Sequence, residues 1–154
     1  MGNESAALGV ELKNNLEALE VKVIAEIQKI ISEHKESRKA ADAIAKSLSN
    51  FNSSNLEPVC RKKNKDSRHY VYWTSHNTKL KKLNKSWSKE IKPTARGYTE
   101  TQLKKYTSVQ EEYLVLETEN KLAPLRKYLY ELSDAKTAIN RQINKLLKKE
   151  QSND

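Results

Sequence analysis

The chain has 154 residues, and its 29 basic against 20 acidic side chains give a net charge of +9. With 36% hydrophobic and 32% charged residues, any core must be thin relative to surface, which argues against a broad, deep pocket and for elongated helical elements. Ala, Glu, Lys, Leu and Arg make up just under half of the chain and only three Gly and three Pro oppose them, a composition typical of long or coiled-coil helices.

The N-terminus Met1-Gly2-Asn3-Glu4-Ser5-Ala6 has neither the basic nor the apolar region of a secretion signal, and no later stretch reaches the roughly 18 apolar residues of a membrane span. A myristoylation pattern needs Ser or Thr where this chain has Ala6. The lone Cys60 cannot close an intramolecular disulfide, so a reducing, intracellular setting, cytoplasmic or nuclear, is expected.

In chain order, Leu16, Leu19, Val23, Ile27, Ile30, His34, Ser37, Ala41, Ile44, Leu48 and Phe51 recur by threes and fours, which predicts one long helix over 5–51. Its weakest part is Ser32 to Lys39, polar throughout but free of Gly and Pro. A basic loop is expected over 52–67, because polar residues end the helix and Pro58 precedes a charged run. Tyr70, Trp73, His76, Leu80, Leu83, Trp87 and Ile91 again step by threes and fours and predict a helix over 68–92, with a turn over 93–98 at Pro93 and Gly97. A last helix over 99–149 opens at Thr99 or Thr101. It carries Leu103, Tyr106, Val109, Tyr113 and Leu116, then Leu125, Leu129, Leu132, Ile139, Ile143 and Leu146, and Pro124 either kinks it or starts a fourth helix.

The expected fold is therefore all-α: a single domain, an elongated antiparallel bundle of three long helices, or four if Pro124 is a break, with coiled-coil character. At 1.5 Å per residue the three helices would be about 70, 37 and 76 Å long. The short middle helix could not cover its neighbours, leaving apolar stripe for another chain to bury.

Catalysis finds no support in the residues. His69 and His76 are seven apart, too far to share a metal on one helix. Cys60 beside Arg61, Lys62 and Lys63 could be a lowered-pKa thiolate, but an ordinary linker cysteine is the better reading. Gly occurs only at positions 2, 9 and 97, so there is no phosphate-cradling loop. The acids Glu111, Glu112, Glu117 and Glu119 read as a solvated helix face. No cofactor, metal or catalytic residue is expected.

Charge is the stronger signal. Residues 61–105 hold 14 basic and 3 acidic groups, whereas 1–60 hold 7 and 9 and 106–154 hold 8 and 8. The excess sits on Arg61, Lys62, Lys63, Lys65 and Arg68 and, at helical spacing, on Lys82, Lys85, Lys89 and Lys92, a stripe that would attract a polyanion. The expected function is a non-enzymatic assembly or adaptor subunit: partner helices, or a second copy, on its apolar stripe and an acidic protein surface on its basic middle. The alternatives are a nucleic-acid-binding bundle contacting phosphates and, less favoured, a peripheral module on anionic membranes. Tyr70, Tyr72 and Trp73 beside the basic loop resemble a base-stacking platform, although such spacing more often marks core.

Overall fold

The computed structural model describes residues 2–48, 54–63, 68–76 and 88–152. Two long helices occupy its ends, α1 (Gly2–Lys46) and α3 (Glu112–Ser152). Between them lie three strands, β1 (Leu56–Lys62), β2 (His69–His76) and β3 (Ser88–Ile91), then a five-residue helix α2 (Glu100–Lys104) and a 3-10 turn at Val109–Glu111. The strands form one antiparallel sheet in the order β1-β2-β3, with Pro58 opposite Trp73 and Trp73 opposite Ile91.

This corrects the all-α expectation. The interval read as loop 52–67 contains β1, and the interval read as helix 68–92 contains β2 and β3. Tyr70-Val71-Tyr72-Trp73-Thr74 is a β-branched and aromatic run, and such side chains favour a pleated surface. The three-residue steps from Tyr70 to Trp73 to His76 fit a helix, but β2 is the central strand and is buried on both faces from Val71 to Thr74, so it shows no two-residue alternation to reveal it. Pro58 is tolerated because β1 is an edge strand.

The final helix also differs from 99–149. Thr99 does cap a helix, accepting from the Gln102 amide at 3.1 Å, but that helix ends at Lys104 and the long one begins only at Glu112. Pro124 lies inside α3, so it neither ends a helix nor starts a fourth. It leaves the carbonyl of Asn120 without its usual amide partner. Gly97 takes a left-handed φ of 88° in the turn that pairs it with Thr94, a conformation strained for other residues.

The chain divides into two compact units, Ile27–Arg126 and Met1–Glu26 with Lys127–Asp154. In the first, one face of the sheet packs on helix. Leu56, Pro58, Cys60, Val71, Trp73 and Ile91 are buried, and the rings of His34 and Trp73 meet edge to face at 5.4 Å. The Trp73 indole donates to Glu119 Oε1 at 2.9 Å. Arg126 grips the same carboxylate with two bonds of 2.8 and 2.9 Å and donates from Nε to the Val71 carbonyl. Helix α3 is thereby tied to the central strand through groups that would otherwise be buried without partners.

The second unit pairs the start of α1 with the end of α3. Ala6 and Glu20 are buried, Gly9, Lys13, Leu16 and Val23 half-buried, and these six recur by threes and fours. They mark the seam facing Leu129, Ser133, Lys136, Ile139 and Ile143. A Cβ on Gly9 would lie 2.8 Å from Ile143 Cγ1, so the glycine permits a close helix approach. Glu20 pairs with Lys136 at 2.9 Å within the seam.

Candidate functional site

Alternation along the strands decides what the sheet face opposite Trp73 carries. Directly paired residues share a face, so the pairs Arg61 with Tyr70, Val59 with Tyr72 and Glu57 with Thr74 lie opposite the face buried by Trp73. Lys63 and Arg68 continue this face beyond the strand ends. The result is a cluster of three cations and two rings. Lys63 Nζ lies 4.4 Å from the Tyr72 ring centre and 5.2 Å from that of Tyr70, while the guanidinium carbons of Arg61 and Arg68 each lie 5.8 Å from a ring, Tyr72 and Tyr70 respectively.

Hydrogen bonds orient these cations. Arg61 Nε donates to the Tyr72 hydroxyl at 2.5 Å, and Lys63 pairs with Glu90 of β3 at 2.5 Å. Rings beneath the charges add the attraction of a cation to the quadrupole of the ring face, and Lys63 is held by the Glu90 carboxylate as well. At the other end of the same face Glu57 holds His76 at 3.0 Å and Lys35 at 3.5 Å. Burial pushes the Glu57 carboxyl up, but the His76 bond and the nearby Arg38 and Lys35 outweigh it and bring it below the usual range. The sheet face is therefore polarised, with cations gathered at the end where Lys62 pairs with His69.

The nine basic residues singled out in the sequence are not one surface. Arg61, Lys63 and Arg68 come together, whereas Lys62 alternates to the other side of β1. Lys89 lies in β3 and Lys92 one residue beyond it, where a three-residue step changes sides, so the helical stripe does not form there. Lys65, Lys82 and Lys85 lie outside the described residues, as do Leu80, Leu83 and Trp87. Of the three aromatic residues, Trp73 is fully buried and Tyr72 only 4% exposed under its cations. A base-stacking platform of Tyr70, Tyr72 and Trp73 is thus not what the fold builds.

Cys60 is buried in β1 rather than placed in a linker, and burial pushes its thiol up, away from a reactive thiolate. Glu111 is also no solvated acid. It is fully buried and accepts from the amides of Asn55, Leu56 and Ser108 at 2.8, 3.3 and 2.9 Å, joining the start of β1 to the start of α3. Sequence reading missed the roles of Glu111 and of the Glu119-Arg126 pair. The Ser108-to-Glu111 spacing of a capping box was the signal available for the first.

Among the described residues no group of three His, Cys, Asp or Glu side chains could hold a metal, and no helix is long and apolar enough to cross a membrane. The arrangement defines a protein with a small antiparallel sheet whose outer face concentrates braced cations between two long helices in sequence. The family model described as MobI protein matches residues 23–140, most of the chain, and the chain belongs to the MobI family. No curated protein and no solved structure matches it.

Proposed function

We propose that this chain is a non-enzymatic accessory of plasmid mobilization that binds the phosphate backbone of DNA through Arg61, Lys63 and Arg68, gathered at one end of the sheet face opposite Trp73. The observation that carries this reading is the gathering of these three cations around Tyr70 and Tyr72. The family membership supports it, since a mobilized plasmid presents DNA as the polyanion at hand. The covered Tyr72 ring favours phosphate contacts over base stacking, and contacts of that kind position a protein without reading sequence. A positive field also speeds encounter with a polyanion.

Fluorescence anisotropy with a duplex at several salt concentrations tests it. Affinity should fall steeply with salt, and Arg61→Ala or Arg68→Ala should each lower the slope of log K against log salt by about 1, across unrelated sequences. Failure of the parent protein to bind duplex at moderate salt, or unchanged slopes in both variants, would sink the reading. The adaptor alternative, an acidic protein segment on the same cations, is favoured by one contact: a carboxylate, that of Glu90, already sits against Lys63. An acidic polypeptide that competes DNA away at equal charge concentration would support that alternative.

A further inference from the structure

We infer that the antiparallel helix pair formed by the start of α1, up to Glu26, and the end of α3, from Lys127, is half of a four-helix bundle, completed by the same pair from a second copy of this chain, with each α1 lying on the other copy's α3. The claim concerns a different surface from the sheet face and stands or falls separately from it.

One side of the pair is left apolar. Leu8, Leu12 and Leu19 are 61%, 54% and 47% exposed, and their spacing of four and seven places them on one flank of α1, about a quarter turn from the seam. Tyr128, 55% exposed, and Leu132, four residues on, occupy the matching flank of α3. That these flanks share a side is shown by a groove of about 340 Å³ lined by Leu19, Val23, Tyr128, Glu131 and Leu132. From Leu8 to Glu26 the face runs about 27 Å, several turns of helix. Such a stripe is what a bundle core lacks when two of its four helices are missing.

Charges on the outer edges identify the occupant. On α1 the apolar flank itself carries Glu26, in line with Leu12 and Leu19, and the edge beyond it carries Glu11 and Lys22; on α3 the edge carries Lys127, Glu131 and Lys145, all exposed. The level of each residue is fixed by the seam, in which Gly9 faces Ile143 and Glu20 faces Lys136. Lys22 is thus level with Glu131, Glu26 with Lys127, and Glu11 lies within about one turn of Lys145. Within one chain these edges point away from each other. A two-fold axis parallel to the helices brings the α1 edge of one copy against the α3 edge of the other, and every one of the three pairs then joins opposite charges. The other face-to-face arrangement, with the axis across the helices, sets α1 against α1 and α3 against α3; centred to place Glu11 near Lys22 it also brings Glu131 near Lys145, but it leaves Glu26 level with Ala7 and Lys127 level with Lys148 and Lys149. The parallel axis alone pairs all six groups, and it does so in both halves of the interface.

Sedimentation equilibrium of the full-length protein tests the inference. The parent should show a mass twice 17.7 kDa that dissociates on dilution. Leu19→Glu with Tyr128→Glu should give a monomer with unchanged far-ultraviolet circular dichroism. Lys22→Glu alone should raise the dimer dissociation constant by about tenfold or more, and adding Glu131→Lys to the same chain should restore it, because the reversed pair reforms between copies. These charge variants sit on exposed helix positions and remain readable if the apolar double variant misfolds. A parent that stays monomeric at every concentration, a dimer indifferent to Lys22→Glu, or a weakening that Glu131→Lys does not reverse each overturns the inference. So does a monomer that pairs only with a helix of another protein.

Discussion

His34 is read from the sequence as one more member of an apolar stripe, and the fold does bury it, but as a polar group. Its Nδ1 shares a 2.7 Å hydrogen bond with Thr118 Oγ1, and burial, helped by the charge of Arg38, lowers its pKa to about 4. The unfolded chain therefore takes up a proton below about pH 6.5 that the folded chain refuses until about pH 4. This contribution to stability is fully present above pH 6.5 and is lost as pH falls toward 4, with a size of about 2–3 kcal/mol. Chemical denaturation of the parent and of His34→Gln should show a stability gap that narrows by that amount across the window, and a gap independent of pH would refute the assignment. Glu111 gives a second expectation at this scale. Its carboxylate satisfies three amides in a site closed to water, so Glu111→Ala should cost about 3 kcal/mol or more. Glu111→Gln, which keeps one acceptor oxygen, should cost less in the same urea titration. An alanine variant as stable as the parent would show that the amides find other partners.

At the scale of the elements, the seam of the terminal helix pair differs from the stripe that hydrophobicity suggests. Leu19 belongs to that stripe yet is 47% exposed, while Lys13 and Glu20 lie in the seam. A buried ion pair contributes little net stability against an apolar pair of similar size, but removing one partner strands the other. Lys136→Ala should therefore cost about 3 kcal/mol or more in unfolding free energy, whereas Glu20→Leu with Lys136→Leu should be neutral or stabilising. A single variant as stable as the parent, measured by thermal melting, would mean that Glu20 reaches water. The same comparison explains the 3-10 turn and the first half of α3. Tyr113 and Val109 fit the expected stripe but are 80% and 88% exposed, because the buried side of that stretch is built from Glu111, Val115, Thr118, Glu119 and Leu122. Three of these five are polar, and hydropathy alone cannot see a polar residue that is buried with its partner.

For the whole molecule, the sequence by itself determined the two long terminal helices, the lack of a glycine-rich phosphate loop and the concentration of positive charge between residues 61 and 105. These follow from periodicity and composition, which are local quantities and survive without knowledge of what packs where. The tertiary structure alone decided that the middle is a sheet. A strand buried on both faces has no alternation, so Tyr70 to His76 satisfied a helical pattern until β1 and β3 were seen to pair with it. It also decided which cations meet, since Lys62 and Arg61 are neighbours in sequence but part to opposite faces, whereas Arg61 and Arg68 meet across the paired strands. Long-range partners set both outcomes: the Trp73 face is buried because Glu119 and Arg126 arrive from α3 to satisfy its indole and its strand, and the opposite face is left to carry the charge.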